Sequence, residues 1–388
     1  MQIPESYHGR EQAFVKHQLL ETYLLRLFMI IGQHQKNIRY VDCFSGPWQE
    51  GGDDLQDTSI GIALKIIQRC REGLQQMGRN VTFQALFIEK NKKSFQKLQN
   101  YLAAVPQEEV LTTALAGDFF ELRGSILEWC GSNDFTFFFI DPKGWKNVVE
   151  ISTLEPLLRR SNSEFLINFM YEFLLRAHSQ DLFKEHMQEI FGEVPKTDGL
   201  TSEEREEHLL ALYLTRLKEI VPARGEKPRA ISVPVLEPTI DRTLYHLIYL
   251  TRHAKGITVF MEESEKLNLV QCRTRAQAKQ KKREDKSGQL ELFSSADWMP
   301  IEKHADLAEV KLYWLSRLTN SPCQFGIEEL ADMLEESAWF EGDLQVAFGE
   351  LAKEGKVKNL DATGKRRSKF VHFAENHGKG EYLIKVLA

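Results

Sequence analysis

Four carboxylates in the first part of this chain each close a short apolar run and stand beside a small-residue turn. Asp42 ends Ile38-Arg39-Tyr40-Val41-Asp42 and leads into Cys43-Phe44-Ser45-Gly46-Pro47. Glu89 follows Phe87-Ile88, Asp118 follows Ala116-Gly117, and Asp141 follows Phe139-Ile140 and opens Asp141-Pro142-Lys143-Gly144-Trp145. Apolar runs bounded by turn residues read as buried parallel strands. Acids at the C-terminal ends of such strands face the crevice in which open α/β sheets hold their ligands. Gly46 adds a place where backbone can approach a ligand closely. An acid in the position of Glu89 suits two ribose hydroxyls, Asp118 suits an adenine amino group, and Asp141 stands over the place of a reacting group. The first strand is not followed by G-x-G-x-x-G, so no pyrophosphate cradle is evident. A nucleoside ligand without phosphates fits this set better, and S-adenosylmethionine is the commonest. Each carboxylate has a plainer alternative, a helix N-cap after a strand, which Asp fills well.

The elements that must position these acids follow from periodicity. Residues 11–31 carry Phe14, Leu19, Leu20, Tyr23, Leu24, Leu27, Phe28 and Ile31 at helical spacing, with Lys16 and His17 near the start. Those two either line a pocket or stand solvated in the first turns. Helices are expected at about 58–77, 92–103, 121–130, 173–191 and 203–220. Strands are expected at 81–88, 110–115, 135–140 and 164–169, with an antiparallel pair at 230–236 and 244–251. Phe135–Ile140 is the most apolar of these runs and suits the centre of a parallel sheet. The β-α alternation predicts a doubly wound, Rossmann-like α/β sheet with right-handed connections.

The ordered set of motifs resembles the three-Cys-motif partner proteins (TcmP), which carry a class I S-adenosylmethionine-dependent methyltransferase-like domain. The residues that carry the likeness are Lys16-His17, Asp42 to Pro47, Phe87-Ile88-Glu89, Gly117-Asp118, Asp141 to Trp145, and Tyr245 to Gly256. The resemblance spans about residues 10–270 and continues into the C-terminal region. It implies S-adenosylmethionine as cofactor, held by Asp42, Phe44, Gly46, Glu89 and Asp118. It places Asp141, Pro142 and Trp145 at the acceptor, and it implies a partner protein bearing a three-cysteine motif. Two departures stand out: the interval from Asp42 to Glu89 is long, and Asp-Pro-Lys-Gly-Trp differs from the Asp-Pro-Pro-Tyr-type motif of amino-methylating enzymes. Trp145 either stacks on a base or packs. Cys43 sits where packing, rather than a thiolate nucleophile, is expected.

The chain has 388 residues, a net charge of -6 and five scattered cysteines without C-x-x-C spacing. Neither a disulfide framework nor a metal site is expected, and a cytoplasmic protein without a membrane span is. Residues 1–270 are expected to form the methyltransferase-like domain, 271–300 a basic linker and 301–388 a winged helix-turn-helix domain. Seven basic residues and two acids fall within 273–286; this stretch is a linker or the end of a helix running into one. The last domain reads as three helices, about 307–318, 327–334 and 342–354, then strands at 356–360 and 370–373 flanking a basic turn, Gly364 to Lys369. Such a module binds DNA or RNA, with protein contact as the alternative, since Asp343, Glu350 and Glu354 lie on its third helix. Gln289-Leu290-Glu291-Leu292-Phe293 resembles the peptides that hold the bacterial sliding clamp; the alternative is docking onto a neighbouring domain. Two functions are therefore expected in competition: methyl transfer to nucleic acid or a partner-bound substrate, and a non-catalytic DNA-binding adaptor.

Overall fold

The computed structural model describes residues 3–4, 7, 9–46, 58–106, 110–142, 144, 148–171, 182–222, 226–290, 305–337, 339–364 and 367–386. Helix α1 (Glu11–Ile31) precedes β1 (Asn37–Asp42), α2 (Ser59–Gln76), β2 (Thr82–Glu89), α3 (Lys92–Ala103) and β3 (Leu111–Ala116). Then come α4 (Phe119–Cys130), β4 (Phe135–Ile140), α5 (Ile151–Leu158) and β5 (Ser163–Phe169). After these follow α6 (Leu182–Phe191), α7 (Ser202–Glu219), β6 (Arg229–Leu236), β7 (Thr243–Thr251) and α8 (Ala254–Ser287). The strands form one sheet in the order β3-β2-β1-β4-β5-β7-β6, in which only β7 runs antiparallel to its neighbours. This mixed α/β sheet, mostly parallel, is Rossmann-like in its order.

Alternation along the strands divides the core in two. Tyr40, Phe83, Ala85, Phe87, Phe137 and Phe139 face α1, α2 and α8. Val41, Leu86, Ile88, Phe138, Ile140 and Phe165 face α4, α5, α6 and α7. All six residues of β4 are buried, and it lies between β1 and β5, as its unbroken apolar run requires. The chain order reverses between β1 and β4, so the crevice of this sheet opens above those two strands.

Helix α8 runs 34 residues, through Ser287. It therefore covers much of the stretch read as linker, in the form of a helix end. Its far half is held down at Arg275, which bonds the β6–β7 turn, and Thr274, Ala276 and Ala278 are buried as well. Beyond it lie α9 (Leu307–Arg317), β8 (Cys323–Phe325), α10 (Ile327–Ser337), α11 (Glu341–Lys353), β9 (Val357–Asn359) and β10 (Glu381–Lys385), with a second sheet in the order β8-β10-β9. Two expectations are corrected here. Residues 370–373 are not a strand: Val371 and Phe373 are buried as anchors, the Val371 amide donates to Gln345 and the His372 amide donates to Glu381. The strand that pairs with β9 is β10, and β8, unforeseen, pairs with its other side.

The C-terminal unit is fastened to the large sheet. Arg229 on β6 meets Glu328, Asp332 and Glu335 of α10 at 2.7, 2.7 and 2.6 Å, and the Ala230 amide donates to Glu335 at 3.0 Å. Of the turn Gly364 to Lys369, residues 365–366 lie outside the described residues, and Arg367 is paired with the buried Glu381. Among the described residues, no helix is long and apolar enough to cross a membrane.

Candidate functional site

Register explains why the four carboxylates converge. Asp42 lies level with Phe87 on β2 and Phe139 on β4, so Glu89 and Asp141 are each two positions beyond it. Glu89 lies level with Ala116, two before Asp118. Steps of two keep to one side of a pleated sheet. All four acids therefore share the parity of the residues facing α1 and α2, at the C-terminal edge of the parallel strands.

Asp42 is fully buried. Its Oδ1 accepts from the Phe44 amide at 3.1 Å and its Oδ2 from the Ser59 hydroxyl at 2.6 Å, at the start of α2. Burial raises its carboxyl to about 6, against the pull of Ser59 and Phe44 and with a push from Asp141. Ser59 was not anticipated; nothing local ties it to Asp42, seventeen positions away. Thr58, not Asp42, caps α2.

Glu89 is buried too, and its Oε1 accepts from the Asn91 amide at 2.5 Å. A Cβ built on Gly46 would overlap Oε2 of Glu89. The missing side chain thus lets the β1 turn close directly over the β2 acid, and the Ser45 amide joins the two by donating to the Ile88 carbonyl at 2.8 Å. Phe44 leaves this turn to pack on Phe119, ring centroids 5.2 Å apart. Cys43 is buried, and burial pushes its thiol well above the ordinary value, so it is not poised as a thiolate.

Asp118 takes the plainer form. It caps α4 through the Phe120 amide at 2.9 Å and pairs with the exposed Lys90 at 2.7 Å. The hydrogen bond from Lys90 holds its carboxyl below the usual range, with the Phe120 amide adding to the effect against partial burial.

Asp141 is the most heavily engaged of the four. Lys16, reaching from the first turns of α1, pairs with Oδ2, and Asn168 at the end of β5 donates from Nδ2 to Oδ1 at 2.6 Å. Burial opposes its charge, yet the Lys16 ammonium, reinforced by Asn168 and His17, holds the carboxyl below its ordinary value. Lys16 and His17 therefore line the site rather than stand in solvent; His17 Nδ1 lies 2.9 Å from the Tyr7 hydroxyl. Because Asn168 donates to a carboxylate, its amide orientation is settled, and Oδ1 is left buried without a hydrogen-bond partner. Asn168 carries no motif signal; only its register position beside Asp141, given by Ile140 pairing with Ile167, could have pointed to it. Pro142 is buried, and Trp145 lies outside the described residues. Among the described residues no cluster of His, Cys, Asp or Glu could hold a metal.

Neither a protein-family model nor any curated protein matches the chain. Among solved structures it is similar to an Escherichia coli protein assigned as a methyltransferase, yhhF, at 12% identity over 60% of this chain and 85% of that one, with a TM-score of 0.28. A second is protein LPL1258 from Legionella pneumophila, at 11% identity over 60% and 84%, with a TM-score of 0.33. A third is a loganic acid methyltransferase with SAH, at 10% identity over 100% and 99%, with a TM-score of 0.26. With TM-scores below 0.5, none of these adds to what the sheet itself says about the fold.

Proposed function

We propose that this protein is an S-adenosylmethionine-dependent methyltransferase whose acceptor enters beside Asp141. The observation that carries the proposal is Glu89. It is a buried acid at the end of β2, next to the switch point, with one oxygen tied to Asn91 and the other lying directly against Gly46 of the β1 turn. Acids in that place take ribose hydroxyls in nucleoside-binding sheets. The group fits the residues present: Gly46 lets the β1 turn approach Glu89 closely, Phe44 offers an apolar edge, and Asp42 holds the turn in shape through Phe44 and Ser59. When bound, S-adenosylmethionine would supply an electrophilic methyl group. The chain's own contribution is position and a dry edge. Lys16 and Asn168 keep Asp141 charged and oriented, and Asn168 Oδ1 is the open acceptor that an entering N–H or O–H group would satisfy.

Calorimetry tests this. The wild type should bind S-adenosylmethionine, and Glu89→Gln, which keeps an acceptor for Asn91, should bind it tenfold or more weakly. No binding by the wild type would sink the proposal. One observation favours the rival adaptor: both oxygens of Asp141 are already engaged within the chain. In that case the cofactor binds but no methyl is transferred.

The C-terminal unit, with three helices of eleven to thirteen residues and a three-stranded sheet among its described residues, is read as the winged helix. Partner roles stay proposals: a three-Cys-motif protein, DNA or RNA, and the sliding clamp through Gln289-Phe293. Leu290 is 89% exposed, in keeping with a docking peptide, while residues 291–293 lie outside the described residues.

A further inference from the structure

The basic run, read from the sequence as a linker or the end of a helix running into one, stands on a helix, and the topology says where that helix points. β7 is antiparallel to β5, and Phe169 at the C-terminal end of β5 pairs with His246 near the start of β7. The turn 237–242 between β6 and β7 therefore lies at the same edge of the sheet as Asp42, Glu89 and Asp141. Helix α8 starts at the opposite edge, where Gly256 packs on Tyr249 and Thr251, and runs back along the hairpin. Gln271 accepts from the Leu236 amide at 2.9 Å, at the end of β6. Arg275 then donates to the carbonyls of Glu237 and Ile240 at 3.0 and 3.1 Å and pairs with Asp241. Lys279 reaches Asp241 at 3.1 Å and Lys282 the Thr239 hydroxyl at 3.3 Å. From Arg275 to Ser287 the helix passes beyond the last residue of β6, an overhang of ~20 Å at 1.5 Å per residue.

Along this overhang the surface is basic. Lys281, Lys282, Arg283 and Lys286 are exposed, against Glu284 and Asp285. The C-terminal unit offers less. Residues 305–386 hold fourteen acids against eleven bases. Helix α10 is acidic enough to hold Arg229 with three carboxylates.

We propose that the overhanging end of α8 is the nucleic-acid-binding arm of this protein, gripping the phosphate backbone of an acceptor strand at the catalytic edge. The step from β4 to β6 crosses three strand spacings, ~15 Å. Lys281 to Lys286 also stand ~9–17 Å beyond Arg275 along the helix, so a strand rising ~3.4 Å per nucleotide along its axis spans the separation from Asp141 in about five to seven steps. The arm gives no sequence reading, because phosphate contacts carry none. It supplies affinity and direction, and the acceptor is thereby a polyanion rather than a small metabolite. The inference rests on the proposed methyl transfer only for the use to which the bound strand is put.

Fluorescence anisotropy with labelled 20-nucleotide single-stranded and duplex DNA and RNA tests it. Lys281→Ala, Lys282→Ala, Arg283→Ala and Lys286→Ala combined should lower affinity at least tenfold at 0.1 M salt and flatten the salt slope by ~0.7–0.9 per lost contact. Binding of S-adenosylmethionine and the melting temperature should not change. A second variant, Lys358→Ala with Lys369→Ala in the C-terminal unit, should bind as the wild type does. Unchanged affinity and slope in the arm variant, or the loss appearing in the second variant, overturns the arm. Binding only to phosphatidylserine vesicles, with no oligonucleotide held at 0.05 M salt, overturns it as well. Those results leave the cofactor reading standing wherever calorimetry still shows S-adenosylmethionine bound; oligonucleotide binding without cofactor binding would leave the arm and remove the enzyme.

Discussion

Two carboxylates at this edge, Asp42 buried and Asp141 half-buried, are charged at opposite cost. Asp42, raised from 3.8 to about 6, binds its proton more tightly in the folded chain than in the unfolded one. Stability therefore falls as pH rises through that interval, and at pH 7 the ionised group costs about 3 kcal/mol. Asp42→Asn keeps the shape, so it should gain up to about that amount at pH 8 and lose the advantage near pH 4, as read by urea melts. A constant difference across that range would refute a buried charge at Asp42. Asp141 is the reverse: its carboxyl is depressed, so the Lys16 pair contributes stability above the ordinary carboxylate range and loses it as pH falls through the folded value. Lys16→Met leaves an uncompensated charge and should cost about 3 kcal/mol at pH 7, fading in acid as Asp141 takes a proton. Equal losses at pH 7 and pH 3 would show that Lys16 matters only through its packing.

The turn between β1 and α2 is the element on which the cofactor reading depends. Gly46 sits where a Cβ would strike Glu89, but the atom struck is the end of a flexible side chain. Gly46→Ala should therefore leave the melting temperature nearly unchanged while displacing Glu89 and weakening S-adenosylmethionine binding tenfold or more. A drop of several degrees with affinity intact would assign Gly46 to folding rather than to the ligand. The same element view explains the long helix α8. Its basic run has little apolar face of its own, and the Asp241 carboxylate with the Glu237 and Ile240 carbonyls supplies the partners that keep it helical. Tertiary contacts, more than propensity, stabilise most helices in folded proteins.

Across the molecule, Arg229 ties the C-terminal unit to the large sheet. That guanidinium is mostly buried and faces three carboxylates, of which Glu335 is nearly buried and also takes the Ala230 amide. Arg229→Ala should cost about 2 kcal/mol, between surface and buried pairs. Hydrogen exchange should then quicken across 305–386 while β1 and β2 keep their protection. Uniform protection in the variant would mean that α8 packing alone, not the ion cluster, joins the two parts.

The strand–helix alternation, the central place of Phe135–Ile140 and the row of acids at one sheet edge were legible in the sequence, because they rest on local periodicity and on parity, which repeat every few residues. Helix α1 was legible for the same reason; its apolar stripe lies within 11–31. The partners of those acids were not legible. Lys16 and Asp141 are 125 positions apart, Asn168 bears no motif, and Ser59 reads as one hydroxyl among many. Which residue meets a carboxylate is settled by how α1 crosses the sheet and by the register of β4 with β5, and no spacing along the chain encodes either. The strand that closes the small sheet was misplaced for a related reason: residues 370–373 and 381–385 both carry apolar anchors, but the Val371 and His372 amides are taken by the Gln345 and Glu381 side chains, and it is 381–385 that pairs with β9. The basic run was open between a linker and a helix end; its contacts with the β6–β7 turn, which no spacing along the chain encodes, place that helix end at the edge where the carboxylates gather.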